Sequence, residues 1–244
     1  AADGRTILQG TPNETILAPL ALAAATIRAE DFRLVHVVAN AVLVFATRAD
    51  LGVRTVDELV TLARNSAARP LTYGSIGIGS LNHFIVEDMQ RRAGIQLQHV
   101  PYRGNAPLVQ DLAGGQVDFA VLVYSAALGG MVEQGRLRVI AQLGAQRSDL
   151  LGNVPTVAEG ESLRNFTFRV WTGLMVARVT PEPLVQRLHA ATGRALQDPA
   201  VRARLVEQTQ HAAAPMTLAE ADTFFAAETA RYRALAQAIG LRPQ

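Results

Sequence analysis
The stretch LTYGSIGIGSLNHF, residues 71–84, gathers three glycines (Gly74, Gly77, Gly79) and two serines (Ser75, Ser80) ahead of a run that can start a helix. Leu71 and Tyr73 suit a short strand, the glycines free the backbone from its usual steric limits, and Ser80 can cap the helix that Leu81 begins. At such a strand-to-helix turn, backbone N–H groups and the positive end of the helix dipole converge on one point. That arrangement suits a carboxylate, sulfate or phosphate and requires no cationic side chain. A tight turn of the same composition that binds nothing is the alternative.

Other chemistries find less support. The chain has no cysteine, and all 23 of its basic residues are arginine. Thiolate nucleophiles, thiolate metal sites, disulfides, Schiff bases and the P-loop lysine are therefore unavailable. Gly77-x-Gly79 is followed by Asn82 where a dinucleotide fingerprint places its third glycine. Ser80 and His83 stand three apart without a G-x-S-x-G elbow, so they read as a cap beside a histidine, and the chain is expected not to be an enzyme. His36, His83, His99, His189 and His211 show no paired metal spacing, and neither a metal nor a cofactor is expected. The net charge of +2 is dispersed along the chain, which argues against a nucleic-acid partner. No apolar run reaches the roughly 18 residues of a membrane span, and no signal peptide opens the sequence.

The elements that must position the glycine turn read as alternating α and β. Asp3-Gly4 is a turn, 6–8 a strand, Thr11-Pro12-Asn13 a polar loop at its end, and 14–25 an apolar helix. Residues 34–47 are nearly continuous in Val, Ala, Leu and Phe, interrupted only by His36 and Asn40, as in a long strand or a strand pair buried on both faces. Thr55 to Glu58 is a capping box opening a helix to about Asn65. After the glycine turn come a helix to Ala93, a strand at 98–102, a turn at Arg103-Gly104-Asn105, a helix at 106–113 and a strand at 117–123. Two such units in succession imply a parallel sheet, with Gly104 beside the first turn. A short helix at 126–134, a strand at 137–144 and a long strand at 166–177 containing Trp171 follow. Helices from Thr180, from Asp198 and from the Thr217–Glu220 capping box close the chain.

The two long strands, 34–47 and 166–177, bracket the central block. This predicts an α/β protein of two lobes joined by two crossing strands, with residues 1–46 and 171–244 forming an outer lobe and 47–170 a central one. A ligand cleft that closes by hinge motion follows from that plan, with Trp171 in a hinge strand as its reporter.

The runs YGSIGIGSLNHF (73–84), HVPYRGNAP (99–107), LAGGQVD (112–118), GRLRVIA (135–141), VPTVAEG (154–160) and WTGLMVA (171–177) resemble the Bug family of periplasmic solute receptors. These serve tripartite tricarboxylate transporters. The resemblance implies a type II periplasmic-binding fold, a precursor with a signal peptide, a periplasmic location, a monomer, and transporter subunits as membrane partners. It also implies a small carboxylate ligand, a dicarboxylate, tricarboxylate or carboxylated amino acid, held largely by backbone N–H groups and waters. On that basis Ser75, Gly77, Gly79 and Ser80 are expected to hold one carboxylate, with Gly104 beside them and Thr11 and Asn13 from the outer lobe; Arg103 is expected to be solvated. Two departures stand out. The V-P-F-x-x-G-G-type opening strand and loop are absent, so the outer lobe and its share of the site are expected to be incomplete, and MVARVTPEP at 175–183 replaces the family's usual turn. The competing readings are the ligand-sensing effector lobe of a regulator and a degenerate receptor that no longer binds.

Overall fold
The structure is a computed structural model and describes residues 6–243; the expected Asp3-Gly4 turn lies outside that range. In chain order the first elements are β1 (Leu8–Gly10), a π-helical turn (Asn13–Leu17) leading into α1 (Ala18–Ala21), β2 (Phe32–Ala41), β3 (Leu43–Arg48), α2 (Val56–Asn65), β4 (Thr72–Ser75) and α3 (Leu81–Ala93). They are followed by β5 (Gln98–Pro101), α4 (Asn105–Ala113), β6 (Phe119–Val123), α5 (Ala126–Glu133), β7 (Leu137–Gln142) and β8 (Val170–Ala177). Last come α6 (Glu182–Gln197), α7 (Pro199–Glu207), β9 (Gln210–Ala212) and α8 (Leu218–Ala238). The chain divides into two compact units, one made of residues up to 41 with those from 170 onward, the other of residues 42–169.

The first unit holds an antiparallel sheet of order β1-β8-β2-β9. Arg33 on β2 reaches Glu182 at the start of α6 and Asp222 on α8, the latter at 3.2 Å, and so ties both helices to the strand. Trp171 on β8 is fully buried. Its indole ring meets Phe224 and Phe225 edge-on, with centroids 5.4 Å and 6.2 Å away, and its Nε1 donates to Glu228 at 2.9 Å. Its surroundings are thus the core between β8 and α8, which makes it a reporter of this unit's packing.

The second unit holds a sheet of order β5-β4-β6-β3-β7. β4 runs parallel to β5 and β6, whereas β3 lies antiparallel between β6 and β7. The two βαβ units thus form the expected parallel core, and β3 and β7, which lie outside those crossovers, make the whole sheet mixed. Alternation along the strands separates two faces. Val44, Ala46, Ala120 and Leu122 pack with Leu108 and Leu112 of α4 and Leu128 of α5. Phe45 and Phe119 pack together with rings 6.3 Å apart, and Tyr73 joins Phe119 at 6.0 Å.

The apolar run 34–47 is a strand pair, divided at Val42, where the chain leaves one sheet for the other. Elsewhere sequence boundaries move. The helix expected over 14–25 ends at Ala21, because Leu22 turns extended. Residues 166–169 alternate buried and less buried positions as a strand would. The Phe168 N–H, however, donates to Leu143 O instead of entering a ladder, and β8 begins at Val170.

Candidate functional site
The parallel arrangement of β4, β5 and β6 places the starts of α3, α4 and α5 at one edge of the second unit's sheet. Open α/β sheets bind ligands at such carboxyl edges, where helix N-termini collect. Register makes the neighbours explicit: Ser75 lies opposite Pro101, and Tyr102 donates its N–H to Ser75 O at 2.8 Å.

The turn after β4 is built by its glycines and serines. Gly77 and Gly79 have φ of 125° and 78°, values that favour glycine. Ser80, with extended backbone, caps α3: its Oγ accepts from His83 N at 3.4 Å and donates to Gly77 O at 2.7 Å. Ser75 is fully buried. Its Oγ accepts the Gly77 N–H at 3.1 Å and lies 2.7 Å from His99 Nε2, so this hydroxyl supports the turn from beneath. The Gly79 N–H donates to His83 Nδ1 at 3.3 Å.

The turn after β5 places Gly104 at the N-cap of α4 with φ of 112°, and a Cβ there would meet nothing within 4 Å. Arg103 beside it is exposed. The third helix start is one the sequence motifs did not single out: Ser125 Oγ accepts from Leu128 N at 3.3 Å and caps α5. The structure thus brings Ser75, Gly77, Gly79, Ser80 and Gly104 to one sheet edge.

Thr11 and Asn13 belong to the first unit. Thr11 donates its N–H to Glu14 Oε2 at 2.9 Å and its hydroxyl to the same oxygen, while Asn13 N donates to Thr11 Oγ1 at 3.2 Å. A carboxylate of the chain itself already occupies the Thr11 donors.

Beneath the glycine turn lies a polar network that glycine spacing does not reveal. His99 stacks on Tyr73 with centroids 4.8 Å apart and lies 4.5 Å from the His83 ring. Tyr73 donates its hydroxyl to Glu87, and Gln90 donates to the same oxygen at 2.8 Å. His83 Nε2 stands 3.8 Å from it. Burial pushes His83 below the ordinary imidazole range, and burial aided by nearby His83 pushes His99 down to about 4. Burial and the Glu87 carboxylate push the Tyr73 phenol upward, so it stays a donor. Among the described residues no group of His, Asp and Glu could hold a metal ion, and no helix is long and apolar enough to cross a membrane.

Comparison with known proteins gives a consistent result. The family described as tripartite tricarboxylate transporter family receptor matches residues 1–241. A UPF0065 protein in the tcbD-tcbE intergenic region of Pseudomonas sp. (strain P51) is 31% identical over 207 residues, which cover 84% of this chain and 60% of that protein. Protein BugT of Bordetella pertussis is 31% identical over 209 residues, covering 82% of this chain and 61% of its own. The chain thus spans about three fifths of the length of these curated relatives. Among solved structures, R. palustris Rpa4515 with adipate is similar at a TM-score of 0.86 and 27% identity, covering all of this chain and 81% of the other. This chain shares the fold of periplasmic binding protein BugD, at a TM-score of 0.81, and belongs to the tripartite tricarboxylate transporter receptor family.

Proposed function
We propose that the chain is the ligand-binding portion of a monomeric periplasmic receptor that delivers a small carboxylate to a tripartite tricarboxylate transporter and catalyses no reaction. The carrying observation is the convergence of the α3, α4 and α5 starts at one sheet edge, in a family with a relative solved with adipate. Helix N-termini supply N–H donors and positive potential without a lysine or arginine side chain. In this reading Ser80 and the N–H groups around Gly77, Gly79 and Gly104 take the carboxylate, and Ser75 fixes Gly77. In the first unit, Thr11 and Asn13 are proposed as donors once Glu14 leaves Thr11. The residues up to 41 and from 170 onward are proposed to act as one lobe and 42–169 as the other, so the boundary expected at 46/47 moves to the end of β2, because all of β3 pairs within the second unit's sheet.

One observation favours a second reading, a receptor that has lost its ligand. Donors of Thr11, Gly77 and Gly79 are already satisfied inside the protein. Thermal denaturation with adipate, malate, citrate and glutamate separates the two. A concentration-dependent rise in melting temperature with any of them supports the receptor, since ligand bound to the native state stabilises it by mass action. A flat response to all four supports the second reading.

A further inference from the structure
The acceptor of the Gly79 N–H is an imidazole nitrogen, and that nitrogen can change from acceptor to donor. His83 Nδ1 accepts only while it is unprotonated. The residue is 8% exposed, and the groups facing its ring are few. Glu87 on the same helix lies 3.8 Å from Nε2, His99 on β5 has its ring 4.5 Å away, and Tyr73 on β4 reaches the pair through its hydrogen bond to Glu87. His99 is engaged with Ser75 through Nε2 and is more strongly held neutral. Two cations at that ring separation repel one another, so a single proton enters the pair; His99 Nε2 is engaged by Ser75, whereas His83 Nε2 stands 3.8 Å from the Glu87 carboxylate, which can pair with the proton there.

Resting on the carboxylate reading, we propose that His83 is a proton-gated positioning residue of the glycine turn. Neutral, its Nδ1 keeps the Gly79 N–H for itself; protonated, it releases that N–H to an incoming anion and places a positive charge beside it. Both changes favour an anion. The sign follows by linkage: anion binding raises the pKa of His83, so a proton is taken up on binding and affinity rises as pH falls through the imidazole's range. At neutral pH the turn is in its closed-off form, with the Gly79 N–H held by His83.

Two measurements on the 244-residue chain test this. In ligand-free protein, nitrogen-resolved NMR should show the Gly79 amide titrating together with the His83 ring. A Gly79 amide indifferent to His83 protonation overturns the proposal whether or not any ligand binds. In calorimetry with adipate, the parent should bind about fivefold tighter at about pH 5 than at about pH 8, relative to His83→Asn. Asparagine keeps an acceptor near the Nδ1 position and does not titrate, and the ligand's own ionisation cancels in the ratio. Equal pH profiles for parent and variant overturn the gating and leave the carboxylate reading standing. Absence of binding at either pH, by either chain, overturns that reading and the gating with it.

Discussion

Trp171 and Glu228 form a buried pair across the first unit: indole Nε1 donates to a carboxylate oxygen 2.9 Å away, with the residues 0% and 3% exposed. Removing the acceptor leaves a buried donor without its partner, a cost of about 1–3 kcal/mol. Glu228→Ala should lower the melting temperature by several degrees, while Glu228→Gln, which keeps an oxygen acceptor, should lower it less. Calorimetric melting of the two variants checks the order.

Gly74, in β4 just before the turn, is the glycine that packing requires. A Cβ there would stand 2.1 Å from Leu108 Cδ1 and 3.3 Å from Tyr102, whereas one at Gly77 would meet nothing within 4 Å. Gly74→Ala should cost about 1–3 kcal/mol by overpacking, and shortening Leu108 to alanine in the same chain should recover part of it. Urea midpoints of the single and double variants measure that coupling.

Asp57 governs an acid limb of stability. Burial raises its pKa, but hydrogen bonds from Ser162 and from the Glu161 backbone outweigh it, and the carboxyl sits below its ordinary range. A depressed folded-state pKa stabilises above the unfolded value and loses that contribution as pH falls through the folded one. Asp57→Asn should therefore lower stability at neutral pH and flatten the decline below about pH 4. Denaturation midpoints across that range show it; an unchanged acid limb would count against the assignment.

At the glycine turn, backbone and side chain carry unequal weight in the proposed binding. Ser80→Ala should weaken anion affinity by about 1 kcal/mol, the scale of one neutral hydrogen bond. Gly79→Val should abolish it, since φ of 78° is unfavourable for a β-branched residue and the added bulk blocks close approach. Calorimetry that found Ser80→Ala inactive and Gly79→Val normal would reverse the account.

Much of this architecture was legible in the sequence because it is written in local chemistry. Thr55, Ser80 and Thr217 each cap the helix their spacing announced. Gly104 and the Ser75–Ser80 turn share an edge because βαβ handedness leaves little choice. Sheet membership was not legible. The single residue Val42 divides a nearly continuous apolar run between two sheets, and no glycine or proline marks it. Nor was the fate of the donors. Histidine spacing alone could not show His83 turning back onto Gly79, His99 reaching Ser75, or Glu14 occupying Thr11, since each depends on side-chain direction within a finished turn.

The pairing of Leu8 with Met175 has a temporal consequence. In the first unit, β1 and β2 must wait for β8, and the whole of the second unit is synthesised in between. The second unit is continuous in the chain, so it can form first, with its β4-α3-β5-α4-β6 block supplying the shorter-range contacts. A folded insert draws the ends of that long loop together and reduces the entropy lost in closing it. Refolding should accordingly be biphasic, with amides of β4 and β6 protected before those of β8, and substitutions that destabilise the second unit should slow formation of the first.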